Sequence, residues 1–156
     1  MATSNAWSVR MSDTVLARWA NLPPAWDHEY AVLFKALLDV WRRTGDERYH
    51  AYVKRNVDAV ITPDGVIAGY ELEHFSLDHL NGGRLLFQLL ERSEDVRYRI
   101  AIATLREQYR HHPRNSAGGF WHNGTMTNQM LLDGTYMGAP FYAECGRAEN
   151  DPAAID

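Results

Sequence analysis

A short polar passage is written twice in this chain. Arg42-Arg43-Thr44-Gly45-Asp46-Glu47-Arg48-Tyr49 returns 49 residues later as Glu91-Arg92-Ser93-Glu94-Asp95-Val96-Arg97-Tyr98, and a fainter third copy stands at Arg147-Ala148-Glu149-Asn150-Asp151. Each of the first two copies joins two apolar patterns of helical period. Leu33, Ala36, Leu37, Val40 and Trp41 run into the first, and Tyr49, Val53, Val57 and Val60 run out of it. Leu85, Leu86, Leu89 and Leu90 precede the second, with Ile102, Leu105 and Tyr109 after it; the third closes an apolar run from Met130 to Ala143. Gly45 suits the left-handed residue that ends one helix, and Asp46 can accept the free amides that open the next. Self-similar units of this length signal stacked helix pairs. The chain therefore reads as all-α: one domain over residues 1–156, built of three helical hairpins, with residues 1–10 as a disordered tail.

The links between hairpins carry different chemistry. Thr62-Pro63-Asp64-Gly65 opens one, and Pro113-Arg114 through His122-Asn123-Gly124 forms another, with Pro and Gly breaking any helix there. Because paired helices alternate in direction, both links fall at the end of the molecule where the first helix of each pair begins, which makes that rim the expected working surface. A second register leads to the same rim. Asp27 lies 19 residues before Asp46, Asp78 lies 17 before Asp95, and Asp133 lies 18 before Asp151. Carboxylates thus gather where the inward helices start.

Asp27 reads as an N-cap. Asp78 is open between cap and functional group, since Ser76 could cap the same helix. Asp133 sits in the apolar stretch Met130-Leu131-Leu132-Asp133-Gly134-Thr135-Tyr136-Met137, where burial would favour a protonated carboxyl and make it the candidate acid. Pro140 is expected to bend or begin the helix that follows, aiming Asp133 at the rim. His122 could be an idle turn residue, but its neighbours Phe120 and Trp121 suggest a sugar-contacting wall. His111 and His112 end a helix, where imidazolium favours the dipole, and the histidine spacing matches no metal site. Trp7, Trp19 and Trp26 read as core.

Composition removes several function classes. A net charge of −4 and a pI near 5.9 argue against nucleic acid as a partner. The apolar runs are too short to span a bilayer. The single Cys145 forms no internal disulfide, the first residues hold no secretory pattern, and a cytoplasmic location is expected.

These motifs together resemble the N-terminal half of the unsaturated rhamnogalacturonyl hydrolases, glycoside hydrolase family 105, and more distantly the unsaturated glucuronyl hydrolases of family 88. The resemblance rests on Thr44-Gly45-Asp46 with Tyr49, Leu77-Asp78-His79 with Asn81-Gly82-Gly83, Pro113-Arg114, Gly118-Gly119-Phe120-Trp121-His122, and Gln129 through Phe141. It covers nearly all of the chain from Trp19 onward. It implies an (α/α)6 toroid with the substrate pocket at the rim where inner helices start. It also implies that Asp133 is the general acid/base, Asp78 its partner carboxylate, and His122 a substrate contact with Gln129 beside it. Trp121, His28 and Met137 complete the expected sugar contacts. Leu131 stands where the family usually has Trp, and His28 where it usually has Tyr.

The reaction so implied is hydration of a 4,5-unsaturated uronic acid at the non-reducing end of pectin-derived oligosaccharides. Asp133 protonates C4 and assists water attack at C5, and the resulting hemiketal collapses; no cofactor takes part. The family barrel has about twice this length, so the resemblance covers half a ring. That implies self-association or pairing with a missing C-terminal half, since a half-barrel leaves an apolar inner wall open. The competing readings are a catalytically inactive truncated half-barrel and a non-catalytic helical-repeat module that binds a glycan or a protein on its concave face.

Overall fold

The computed structural model describes residues 6–151. Seven α-helices make up the described chain: α1 (Trp7–Arg18), α2 (His28–Thr44), α3 (Glu47–Asp58), α4 (Leu77–Asn81), α5 (Gly83–Ser93), α6 (Val96–His111) and α7 (Gly134–Glu149). Among these residues no β-strand forms; two isolated antiparallel bridges, Ile61 with Ile67 and Arg114 with Phe120, close the turns after α3 and α6. The expected tail of residues 1–10 is corrected in its second part, because α1 begins at Trp7; residues 1–5 lie outside the described residues.

The repeated passage forms the turns that the sequence demands. Gly45, Glu94 and Asn150 all adopt left-handed backbone, with φ of 73°, 50° and 55°. Asp46 then accepts from the Arg48 amide at 3.1 Å and Asp95 from the Arg97 amide at 3.0 Å, opening α3 and α6. Hydrogen bonds from the Arg48 and Arg97 side chains hold both carboxyls below the usual carboxylate range. Asp27 caps α2 through the Tyr30 amide at 2.8 Å. Of the third hairpin, the described residues contain the first arm and the turn.

The helices form two layers. α2, α4 with α5, and α7 stand side by side in one; α1, α3 and α6 form the other. Contacts within the layers differ in kind. A Cβ on Gly82 would meet the Trp26 ring at 2.6 Å, one on Gly83 would run into the Phe141 ring, and one on Gly134 would meet the Leu77 side chain at 2.9 Å. Glycines thus let neighbours in the first layer approach closely, as the inside of a curved array requires. The outer helices instead reach each other with long side chains. Asp13 of α1 accepts from Arg48 and the Tyr49 hydroxyl of α3, both at 3.0 Å, and Asp58 of α3 accepts from Arg97 at 3.1 Å and the Tyr98 hydroxyl at 2.7 Å. This is an arc of an α/α toroid.

Between the layers Leu37, Leu38, Tyr49, Val53, Leu86, Tyr98, Leu105 and Phe141 are wholly buried. Of the three tryptophans read as core, Trp26 is buried, whereas Trp7 and Trp19 are exposed, Trp7 beneath the Arg10 guanidinium. Pro140 neither begins nor ends α7, which runs through it.

Candidate active site

α2, α4 and α7 begin at one rim. α4 is entered by a 3₁₀ turn, Leu72–His74, and by Phe75 in left-handed backbone, which sets Ser76 at its N-cap position. Ser76 makes no side-chain cap, and Asp78, two residues on, is half-exposed. Its Oδ2 lies 3.8 Å from Nε2 of His122.

His122 is buried and reaches this place through backbone bonds on both sides. Its amide donates to the Gln129 carbonyl at 2.8 Å, and its carbonyl accepts from the Leu77 amide at 3.1 Å. Its Nδ1 is buried without a protein partner, as is the indole nitrogen of half-buried Trp121. Gln129 therefore acts here through its carbonyl, with its side chain exposed. On the other flank, His28 opens α2 and its Nδ1 lies 3.3 Å from the Asn81 amide nitrogen of α4. The Trp26 indole donates to the His79 carbonyl at 2.9 Å, fastening α2's approach to α4. Burial pushes the His79 imidazole below its usual range.

Asp133 occupies the N-cap position of α7 without a side-chain cap bond. The Gly134 contact with Leu77 puts its backbone next to the start of α4, so Asp78 and Asp133 stand on adjacent inner-helix termini. Beside them is a hollow of about 250 Å³ whose lining includes Leu77, Arg114, Phe120, Leu131, Gly134 and Thr135.

Two expectations need correction. Asp133 is exposed, not buried among apolar neighbours, because those neighbours are themselves uncovered: Leu131 and Met130 are exposed and Leu132 is 91% exposed. The segment Met130–Asp133 is a turn on the open edge of the arc. Met137 is the converse case. One turn into α7, it points into the core, is 0% exposed and cannot touch a sugar. The sequence also concealed Gln108 and His112 of the outer layer, both buried directly behind the site. A histidine at a helix end suggested the dipole; only the helical phase shared by Leu105, Gln108 and His112 could have shown them turned inward.

Among the described residues no group of three or more His, Cys, Asp or Glu is placed to hold a metal ion, and no helix is long and apolar enough to cross a membrane.

Comparison with known proteins accounts for this arrangement. A family 105 glycoside hydrolase from C. acetobutylicum ATCC 824 is similar in structure, with a TM-score of 0.85 and 34% identity over 96% of this chain. The alignment spans 43% of that protein's chain. The profile of Glycosyl Hydrolase Family 88 matches residues 3–156, nearly the whole sequence, and the chain belongs to that family.

Proposed function

We propose that this chain supplies the first inner helices of a glycosidase pocket that removes a 4,5-unsaturated uronic acid from the non-reducing end of rhamnogalacturonan-derived oligosaccharides. The supporting observation is the Asp78–His122 pair where α4 meets the link between α6 and α7, with Asp133 on the adjacent helix terminus. Membership of the family supports a glycosidase; the pectin-derived substrate is the finer part of the reading. The C4=C5 bond is a vinyl ether. Asp133 gives its proton to C4, a water oxygen bonds to C5, and the Asp133 carboxylate takes the proton that water loses. The hemiketal then collapses, breaking the bond to the next sugar and consuming one water overall. Asp78 and His122 hold the sugar against that carboxyl.

A carboxyl must be shielded from water to begin protonated near neutral pH. Asp133 is exposed in this chain, so the reading includes a cover for the inner wall, supplied by a C-terminal half with the remaining hairpins or by a second copy. The reaction is placed in the cytoplasm, where the lone Cys145 stays reduced.

The test follows the ultraviolet absorbance of the double bond in unsaturated uronyl disaccharides. With the inner wall covered, by self-association at high concentration or by the remaining hairpins added, the native chain is expected to remove it, and Asp133→Asn to slow removal by at least about 100-fold with the same unfolding curve. An Asn variant as fast as the native chain overturns the assignment. The exposure of Asp133 favours one second reading, a non-catalytic helical-repeat module that binds a glycan or a protein. Binding of the disaccharide without turnover, equal in both proteins, decides for it.

A further inference from the structure

Helix α6 and the residue that follows it, His112 at its C-cap, turn two polar side chains into the interior. Gln108 is 0% exposed and His112 is 4% exposed. Buried polar groups usually find hydrogen-bond partners; here Oε1 of Gln108 has none, whereas the Gln108 amide nitrogen and both ring nitrogens of His112 are joined in a line. The Gln108 amide nitrogen lies 2.8 Å from the Ser76 carbonyl and 3.4 Å from Nδ1 of His112. Nε2 of His112 lies 2.8 Å from the Trp121 carbonyl.

The partners fix where the protons are. Both terminal groups are carbonyls and can only accept. Nε2 of His112 must therefore carry a hydrogen for Trp121. Burial favours the neutral imidazole, so Nδ1 is left as an acceptor for the second hydrogen of the Gln108 amide. The Phe75 and Phe120 rings meet the imidazole edge-on at 5.8 and 5.2 Å, which restricts its rotation.

The ends of this line straddle the rim. Ser76 stands two residues before Asp78, and Trp121 one residue before His122. We infer that Gln108 and His112 are positioning residues, an outer-layer brace that sets the separation of Asp78 and His122 by holding the two backbone segments that carry them. What that pair does rests on the function proposed above; the brace itself does not.

The test is therefore chosen to work without turnover. In the native chain, Asp78→Asn is expected to shift the His122 ring signals in NMR, reporting the proximity of the two groups. In Gln108→Leu or His112→Phe, which keep bulk and lose the bonds, that shift is expected to fall by more than half. His112→Gln, which keeps a donor for Trp121, is expected to restore it relative to His112→Phe. An undiminished shift in either apolar variant overturns the brace, as does failure of His112→Gln to restore it. The unmodified chain gives a check independent of folding in the variants: ¹⁵N shifts of His112 must show hydrogen on Nε2 at neutral pH, and hydrogen on Nδ1 refutes the scheme. With an unsaturated disaccharide, the apolar variants should lose about 10- to 100-fold in kcat with KM within about twofold. Absence of turnover in the native chain would sink the proposed reaction while the NMR result still decides the brace.

Discussion

The turns after α3 and α6 are built alike and used differently. Each leaves an outer helix, folds back through a single antiparallel bridge, and places a left-handed glycine at its corner, Gly65 with φ 79° and Gly118 with φ 84°. The first turn is closed by Val60, Ile61 and Ile67, all buried, and its corner is packed: a Cβ on Gly65 would meet Ile100 of α6 at 2.7 Å. The second has nothing within 4 Å of that position on Gly118. Behind it are buried Gln108, His112 and His122, while the Arg114 guanidinium lies over the Phe120 ring at 3.7 Å. A single backbone device thus serves as core in one repeat and as a mount for polar groups in the next. Apolar packing is concentrated at the first turn and buried polar groups at the second.

The contrast breaks most visibly at the first turn. Ile67→Ala removes a side chain buried on all sides and is expected to cost about 2–5 kcal/mol, measured by urea unfolding. A loss below about 1 kcal/mol would mean that this turn is not part of the core.

The joints between outer helices sharpen the comparison. Asp58 binds Arg97 and Tyr98 with its side chain 29% exposed, whereas Asp13 binds Arg48 and Tyr49 at 45%. Asp58→Ala should cost about 1–3 kcal/mol, since it removes the acceptor shared by Lys54, Arg97 and the Tyr98 hydroxyl. Asp13→Ala, which removes the acceptor of the Tyr49 hydroxyl and the exposed Arg48, should cost less, about 1 kcal/mol. Equal losses in the same unfolding assay would show that burial does not grade the two joints.

The second turn should carry its own pH signature. Burial depresses the His112 imidazole; Arg114 and His122 face it and press the same way, against the bond to Trp121. In the unfolded chain the same imidazole titrates at its ordinary value, near 6.5. The unfolded form then binds the extra proton first as pH falls, so stability present above about 6.5 is lost below it, down to the depressed folded value. His50 and His79, also depressed by burial, add to the slope. His112→Gln should flatten stability against pH between about 6.5 and 5 without abolishing the dependence. An unchanged slope would mean that His112 is free to ionise in the folded chain.

Legibility in the sequence followed the range of the forces involved. Gly45, Asp46, Asp95 and the cap at Asp27 act over a few residues, and the helical hairpins could be read from them directly. Asp78 and His122 could be placed on one rim because alternating helix direction brings the links together. The exposure of Asp133 could not be read, since it depends on what covers the inner wall, and this chain spans 43% of the similar hydrolase. Met137 follows Asp133-Gly134 closely in the sequence, yet one helical turn carries it to the core face. The brace at Gln108 and His112 was hidden for a related reason: its partners are backbone carbonyls, which no residue identity announces.

The smallest effect tests the repeat itself. All three hairpin turns need a left-handed residue, yet they differ in how they meet that need: Gly45 in the first, Glu94 in the second, Asn150 in the third. A left-handed conformation crowds the Cβ of an L-residue and costs about 1 kcal/mol, a penalty that glycine escapes and asparagine partly evades. Gly45→Ala should therefore destabilise the fold by about 1 kcal/mol, with no steric clash to add, because nothing lies within 4 Å of the new Cβ. Glu94→Gly should act in the opposite sense and stabilise by about 0.5–1 kcal/mol, offset in part by the greater freedom of glycine in the unfolded chain. Thermal unfolding reads both. Opposite signs at two positions 49 residues apart would show that the turns are physically equivalent copies; a destabilised Glu94→Gly would mean that the second turn is held by the glutamate side chain and that the repeat is one of sequence alone.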